Sequence, residues 1–245
     1  MIAAYTTYLV VDVETTGFDP NTNKVVEIGA VWLDDHGMEL DAYESLIDPG
    51  MSIPPDSSAV HHILDVDVQG APRLEEAFAV ISARAPYDVV VGHNICDFDS
   101  KFVRPVIGSR PVLDTLRLAQ RLWPGLDSHK NMALAYGMGL VGGRRETRMA
   151  HSALFDARAT GKVLFAILEE LYRVAKDPDS VTIGGLVDWQ FRPRILPKWR
   201  FGKHVGKTFE QVAKDDRSYL EWVVNKSTID DADVLHTCRH WLAQR

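Results

Sequence analysis

Residues 8–17, YLVVDVETTG, constrain the fold of this chain more than any other stretch. Residues 8–11 are apolar and largely β-branched, which is typical of a central strand buried on both faces. Asp12 and Glu14 follow, and because residues i and i+2 of a strand share a face, both carboxylates should project to the same side. Like charges this close raise each other's pKa unless a cation lies between them. The pattern alone leaves two interpretations open: a divalent metal site, or a strand that runs into a solvated acidic turn.

The composition indicates an ordinary globular chain. Its 245 residues are 46% hydrophobic and 25% charged, enough for one large domain or one domain with a small appendage. No apolar run approaches the roughly 20 residues that span a bilayer, and we expect no signal peptide. Cys96 and Cys238 lie too far apart to suggest a disulfide framework or a zinc site, so a cytoplasmic setting is expected. The net charge of −7 argues against indiscriminate binding to a polyanion but does not exclude a nucleic-acid substrate.

The order of predicted elements indicates an α/β domain with a mixed sheet. Strands are predicted at residues 8–11, 25–33 and 39–47, and their short connections predict an antiparallel meander. Strands and helices alternate afterwards. Further strands are predicted at 87–91 and 110–113. Helices are predicted at 73–85, 97–107, 115–123, 129–136 and 152–174, and another is opened by the prolines at 54–55 and leads to residues 61–63.

The periodic pattern breaks after the long helix. Residues 177–197 lack clear periodicity and contain two adjacent glycines and two prolines, so we predict a linker. The expected domains are therefore residues 1–176 and a small, mostly helical unit at 198–245, with helices at 209–214, 218–225 and 230–243. The predicted core of the small unit consists of Tyr219, Trp222, Val223, Leu235 and Trp241.

Two later segments add acidic residues and a histidine to the first pair. In HNICDFD, residues 93–99, a strand ends and a helix begins, which places Asp99 in the first helical turn. In HSALFD, His151 precedes Asp156 by five residues. If Ser152 caps the long helix, Asp156 lies inside it and His151 lies just before it. Each residue alone has an ordinary surface role, but D-x-E, N-x(3)-F-D and H-x(4)-D in this order are improbable by chance.

These motifs resemble those of the DEDDh family of 3′–5′ exonucleases. The resemblance covers about residues 8–174 and is carried by Asp12, Glu14, Asp99, His151 and Asp156. Three stretches are also similar to the exonuclease X branch of this family: residues 59–63, residues 118–125 followed by 131–134, and residues 201–203 with 206–207.

The resemblance implies an RNase H-like fold and a metal-dependent hydrolysis of phosphodiesters. Two Mg²⁺ ions, or Mn²⁺, would be held by Asp12, Glu14, Asp99 and Asp156, with Asp12 bridging the ions. His151 would act as the general base. The product would be a nucleoside 5′-monophosphate released from a 3′ end.

The second motif departs from the common family pattern at one point. Three residues separate Asn94 from Phe98, where many members have two. Asp97 is therefore an alternative candidate for the ligand assigned to Asp99.

Substrate contacts are predicted beside the first motif. The backbone N–H groups of Thr15, Thr16 and Gly17 follow the carboxylates and could hold the terminal nucleotide. His61 resembles a position that lines the family's substrate cleft, and Phe18 is a candidate for stacking on a base.

The beginning of the C-terminal unit is basic and aromatic. The residues concerned are Arg192, Arg194, Lys198, Arg200, Lys203 and Lys207, interleaved with Trp189, Phe191, Trp199 and Phe201. This composition is typical of a segment that binds single-stranded DNA. It is equally typical of a solvated linker whose aromatic side chains pack inward.

The sequence therefore predicts an exonuclease that acts on DNA 3′ ends, single strands being favoured, in DNA repair or end trimming. An exoribonuclease of the same family and a polymerase-associated proofreading subunit remain as alternatives. Many relatives form a homodimer, but no self-complementary surface can be identified from the sequence, so the oligomeric state stays open.

Overall fold

A computed structural model describes residue 2, residues 5–143 and residues 152–244 of the chain. Within them, one mixed sheet has the strand order β3-β2-β1-β4-β5. The strands are β1 (Tyr8–Thr15), β2 (Val25–Leu33), β3 (Glu39–Leu46), β4 (Val89–Gly92) and β5 (Val112–Asp114). β1 pairs antiparallel with β2 and parallel with β4, and β5 continues the parallel half. The predicted meander is confirmed.

Helices cover the sheet and form most of the C-terminal part. They are α1 (Pro55–His61), α2 (Leu74–Ala83), α3 (Arg104–Ile107), α4 (Thr115–Leu122), α5 (Asn131–Gly137), α6 (Ala153–Val174), α7 (Ile183–Phe191), α8 (Phe209–Asp215), α9 (Arg217–Asn225) and α10 (Ala232–Ala243). None of the helices in the described residues is long and apolar enough to cross a membrane.

The long helix α6 packs closely on the centre of the sheet. A Cβ atom at Gly161 of α6 would lie 2.8 Å from Leu33 Cδ1 and 3.6 Å from Val10 Cγ2, so only a residue without a side chain fits there. The opposite face of β1 contributes Leu9, Val11 and Val13 to the main hydrophobic core. β1 is thus covered on both faces, as its apolar run predicts.

The prediction of a single helix at residues 97–107 is wrong. The structure has a short 3₁₀ turn at Asp99–Lys101 and then α3, which begins at Arg104. Pro105 explains the break, because proline has no N–H to donate and its ring clashes with the preceding helical turn. Pro105 instead occupies the first turn of α3, where no N–H is needed.

The stretch 177–197 is not a featureless linker, because Ile183–Phe191 forms α7. The Thr182 hydroxyl accepts a hydrogen bond from the Gly185 N–H at 3.1 Å and so supports the start of this helix. By their contacts, residues 1–122 and 128–190 form one compact unit, and residues 123–127 and 191–245 form a second.

The second unit has a hydrophobic core of its own. Its buried residues are Leu196, Trp199, Phe209, Val212, Leu220, Val223, Val234 and Cys238, with Tyr219, Leu235 and Trp241 packed against them. Trp222, predicted above to lie in this core, is instead 46% exposed. It lies on α9, whose buried residues are Leu220 and Val223, and it stands about 200° from Leu220 around the helix axis, so it points away from the side that Leu220 buries.

Candidate active site

Strand β1 presents Asp12 and Glu14 on one face of the sheet. In the ladder with β2, Asp12 lies opposite Gly29 and Glu14 lies opposite Glu27, so these four residues share that face. Helix α6 adds Asp156 from above. One carboxylate oxygen from each of Asp12, Glu14 and Asp156 can be chosen so that all three lie within 4.8 Å of one another.

The start of α6 is anchored directly to β2 and β3. A Cβ atom at Gly29 would lie 2.3 Å from the carbonyl carbon of Ala153, so the helix reaches the sheet only because residue 29 is glycine. The Glu27 carboxylate accepts a hydrogen bond from the Ala153 N–H at 2.8 Å. Ser152 occupies the cap position, but its hydroxyl donates to Glu44 at 2.7 Å and does not cap the helix. Glu27 therefore takes the role that the sequence predicted for Ser152.

Asp99 enters the site from the loop that follows β4. Asp99 is 3% exposed, and it lies close enough to Asp12 for its charge to raise the pKa of Asp12. The loop is held by the buried carboxylate of Asp114, which accepts hydrogen bonds from the backbone N–H groups of Asn94 at 3.0 Å and Cys96 at 3.1 Å. Asn94 adopts a left-handed φ of 68°, which turns the chain at the end of the strand.

Asp97 does not join the cluster. Both of its oxygens accept hydrogen bonds from Arg117 Nη2 at 2.9 Å, and its side chain is 61% exposed. In the structure Asp99, rather than Asp97, is the acidic residue next to Asp12.

The carboxylates of the site disfavour one another's ionisation. Burial, and then the charges of neighbouring carboxylates with Asp99 the strongest, hold the pKa of Asp12 well above its usual range. The pKa of Glu14 is raised to about 8, first by burial and then by the charges of Asp156 and Glu27. Burial also raises the pKa of Asp99, although backbone hydrogen bonds act in the opposite direction.

This donor set suits a hard divalent cation. The cluster offers carboxylate oxygens, the ligands that Mg²⁺ and Mn²⁺ prefer. A cation placed among Asp12, Glu14 and Asp156 would also remove the repulsion that raises their pKa values. The first of the two interpretations of the D-x-E pattern therefore fits the geometry.

The family comparison agrees with this geometry. A model of the family described as "Exonuclease" matches residues 9–164, more than half of the chain. The chain belongs to the exonuclease family. Within it, the four carboxylates and the histidine motif identify a DEDDh exonuclease, which is a nuclease enzyme. A second family model, "Exodeoxyribonuclease X-like C-terminal", matches residues 200–227.

Individual relatives extend the match over both units of this exonuclease. Exodeoxyribonuclease 10 of Escherichia coli (strain K12) is 29% identical over 233 residues, 95% of this chain and 97% of that protein. The epsilon subunit of DNA polymerase III from Aquifex aeolicus (strain VF5) is 31% identical over 172 residues, 68% of this chain and 82% of that protein. The solved structure of exonuclease X in complex with 5′ overhanging duplex DNA has a TM-score of 0.57 and 26% identity, and the match covers 75% of this chain and 99% of that one. The RNase H-like fold and the resemblance to the exonuclease X branch are thereby confirmed.

The residues predicted to contact substrate lie at the end of β1. The Thr15 hydroxyl donates to the Gly17 carbonyl at 2.8 Å. The Thr16 N–H already donates to the Lys24 carbonyl at 2.8 Å, so it would have to exchange that bond to hold a nucleotide. A Cβ at Gly17 would lie 2.6 Å from Asn23 Oδ1, which explains the glycine. Phe18 is 86% exposed beside this turn.

His61, the other predicted contact residue, is buried at the end of α1. Its Nδ1 accepts a hydrogen bond from the Ile63 N–H at 3.1 Å. Burial lowers its pKa, and the nearby backbone of Thr15 partly offsets that effect. Among the described residues, no group meets hydrogen-bond geometry with its Nε2. A buried imidazole thus lies beside the turn that follows β1. His151 lies outside the described residues.

Sequence reasoning missed Glu27 and Asp114. Each is a single carboxylate in an apolar strand, in VVEIGAVWL and in PVLD. An isolated charge inside a buried strand requires a partner, and this signal marks both positions. The partners, the backbone N–H groups of Ala153 in one case and of the 93–98 loop in the other, depend on tertiary structure.

We expect Glu27 to position the start of α6, and with it Asp156. Glu27→Leu removes the acceptor for the Ala153 N–H, which costs about 1–3 kcal/mol of stability, and should lower the turnover number at least several-fold. Glu27→Gln retains an acceptor oxygen and should keep most of the activity. Thermal unfolding and steady-state rates of both variants check this, with Glu75→Gln, an exposed glutamate of α2, as the control. Equal rates in the Leu and Gln variants would contradict the assignment.

Proposed function

We propose that this exonuclease removes nucleoside 5′-monophosphates from the 3′ ends of DNA. The observation that carries the proposal is the convergence of Asp12, Glu14 and Asp156 on one face of the sheet, with Asp99 beside Asp12. The match to exodeoxyribonuclease 10 over 95% of the chain supports DNA as the substrate. The solved exonuclease X complex contains duplex DNA with a 5′ overhang, and therefore a recessed 3′ end.

Two Mg²⁺ ions are the proposed cofactor, and Asp12, Glu14, Asp99 and Asp156 would hold them. When bound, such ions activate water, neutralise the phosphoryl oxygens and stabilise the leaving oxygen. The protein supplies a rigid set of oxygens: β1 fixes two carboxylates, α6 fixes one, and the loop held by Asp114 fixes Asp99.

His151 is proposed to accept the proton of the attacking water. It directly precedes Ser152, at the start of the helix that carries Asp156. An imidazole titrates near neutral pH, so a neutral ring can take up a proton there. We assign the terminal nucleotide to the turn of Thr15 and Gly17 and to His61, with Phe18 as the exposed ring on which a base could stack.

Repair or end trimming of DNA in the cytoplasm is the proposed cellular role. The match of the C-terminal model to residues 200–227 favours this role over that of a polymerase subunit, since it extends the similarity to exodeoxyribonuclease 10 into the second unit.

A competition between DNA and RNA tests the proposed substrate. Matched single strands of both chemistries carry a label on the 3′-terminal nucleotide and are mixed with the enzyme and Mg²⁺. We expect the label to leave the DNA at once as a 5′-mononucleotide, and the RNA to be degraded more slowly. Faster release from RNA would assign the same chemistry to an exoribonuclease. Label retained in long fragments would contradict 3′–5′ polarity.

Metal addition should stabilise the protein more strongly at high pH. Because the pKa of Glu14 is raised from 4.5 to about 8, the folded protein binds more protons than the unfolded one between these values, and its metal-free stability falls as the pH rises through that window. A bound cation offsets this loss. We therefore expect a larger increase in Tm on adding MgCl₂ at pH 8 than at pH 6, and almost none in Asp12→Asn. The same increase at both pH values would contradict a metal site at these carboxylates.

A further inference from the structure

We propose that the second unit carries a binding surface for single-stranded DNA, formed by Lys198, Arg200, Phe201, Lys207 and Trp222. This inference rests on the proposed DNA exonuclease function and adds a second contact with the same substrate. Residues 191–245 contain eleven Lys and Arg against seven Asp and Glu, whereas the whole chain has a net charge of −7. The chain is thus locally basic in one unit only, as a polyanion-binding module would be.

A short hairpin presents the surface. Lys198 and Thr208 form an antiparallel bridge, and the Trp199 N–H donates to the Lys207 carbonyl at 2.9 Å. The Gly206 N–H donates back to the Trp199 carbonyl at 2.9 Å. Thr208 then caps α8 in a capping box with Gln211, which anchors the end of the hairpin to a helix. The exposed residues of this loop are therefore held on a fixed backbone.

Two cations of the hairpin are available for phosphate. Lys198 and Arg200 are exposed, and neither forms an ion pair with any described residue. They line one small cavity of about 110 Å³ together with Phe201, and Asp231 and Asp233 line it as well. Lys207 pairs with Asp215 at 3.3 Å, and both side chains are about half exposed, so this pair is weak and can exchange for a phosphate.

The acidic residues near the hairpin already have partners. Asp233 is bound by Arg194 at 2.5 Å, and Asp216 is bound by Lys203 at 2.7 Å. Asp231 accepts a hydrogen bond from the Val234 N–H at 3.0 Å at the start of α10. Among the described residues, none of these carboxylates forms an ion pair with Lys198 or Arg200.

A connected series of aromatic rings links the hairpin to α9. From Phe201 the ring centroids are 5.5 Å to Trp199, then 5.4 Å to Tyr219, then 5.6 Å to Trp222. The two inner rings pack on the core, while the two outer rings, Phe201 and Trp222, are 39% and 46% exposed. Exposed rings together with exposed cations are the combination that binds unpaired bases and their phosphates. Duplex DNA hides its base faces, so the rings favour a single strand.

The test measures binding of the full-length protein to a fluorescein-labelled dT30 strand in EDTA, at several salt concentrations. Lys198→Ala/Arg200→Ala should weaken binding about tenfold and lower the slope of log Kd against log salt by about 1.4. Trp222→Ala should weaken binding on the order of tenfold, and Trp222→Phe should restore it. The control Lys214→Ala/Arg239→Ala makes the same charge change elsewhere in the unit and should alter neither quantity. Thermal unfolding of every variant excludes loss of the fold.

A second substrate separates this inference from the catalytic proposal. Hydrolysis of the p-nitrophenyl ester of thymidine 5′-monophosphate needs the active site only, so the hairpin variants should retain it. Affinity for dT30 within twofold of the wild type in both variants would overturn the inference while leaving the catalytic proposal intact. Weakened binding to U30 but not to dT30 would also overturn it. If the wild type hydrolysed neither the ester nor DNA, the catalytic proposal would be refuted. The binding data would still show whether the hairpin surface binds DNA.

Discussion

Replacing Asp12 by Asn should abolish catalysis and at the same time stabilise the metal-free protein. Asp12 lies among four other carboxylates, and burial together with their charges holds its pKa well above the usual range. Its ionised form therefore costs stability whenever no cation compensates it. Removing the charge should raise the metal-free stability at pH 8 by about 1–2 kcal/mol, which corresponds to a Tm increase of roughly 2–8 °C for a chain of this size.

The same substitution should reduce turnover by about 10³-fold or more, because the residue predicted to bridge both ions is lost. Differential scanning calorimetry in EDTA and with MgCl₂, combined with nuclease rates, checks both effects. In the wild type MgCl₂ should raise Tm, and in Asp12→Asn that increase should disappear. Asp97→Asn is the matched control, since Asp97 is an exposed aspartate paired with Arg117 outside the cluster. A variant that is both inactive and less stable without metal would contradict the electrostatic account of the site.

Replacing His151 by Ala should lower turnover by roughly 10²–10⁴-fold, the contribution of a positioned general base. Because His151 is not among the predicted ligands, metal-induced stabilisation and DNA affinity should remain near those of the wild type. The measurement combines single-turnover rates with dT30 binding in Ca²⁺. His129→Ala is a useful control, because His129 is a histidine outside the three motifs. Wild-type cleavage by His151→Ala would show that another group accepts the proton.

The pH dependence of the rate tests the role of His151 independently. With a histidine as base, the rate should rise with pH through the range near 6.5 in which an imidazole loses its proton. The His151→Ala variant should lose that rise while keeping any dependence caused by metal binding. An unchanged profile in the variant would assign the pH dependence to the carboxylates alone.

Much of the catalytic unit could be predicted from the sequence because its determinants are local. The alternation of strands and helices, and the place of Asp12 and Glu14 on β1, follow from apolar runs and the two-residue period of a strand. The prediction of one helix through residues 97–107 was wrong because Pro105 breaks the helix. Helix α7 was missed because two glycines interrupt its first turn, while its last turn is held by Gln190, whose side chain bonds the Val112 carbonyl and the Asp114 N–H.

The supporting residues of the site could not be assigned in the same way. Glu27 and Asp114 are visible in the sequence as lone carboxylates in strands, but the N–H groups that they bind lie 126 and about 20 residues away. Gly29 is a further case, since only the approach of α6 to within 2.3 Å of a Cβ position explains it. Such roles depend on which elements meet in space, and a single sequence does not record that.

The most direct test of the central claim uses a 5′-labelled single-stranded DNA oligonucleotide, incubated with the full-length protein in Mg²⁺ or in EDTA. His151→Ala and Asp12→Asn, purified in the same way, control for a contaminating nuclease. We predict a ladder that shortens one nucleotide at a time from the 3′ end, only with Mg²⁺ and only in the wild type. Absence of a ladder on both DNA and a matched RNA, or an equal ladder from Asp12→Asn, would contradict the assignment of this carboxylate cluster as the catalytic site.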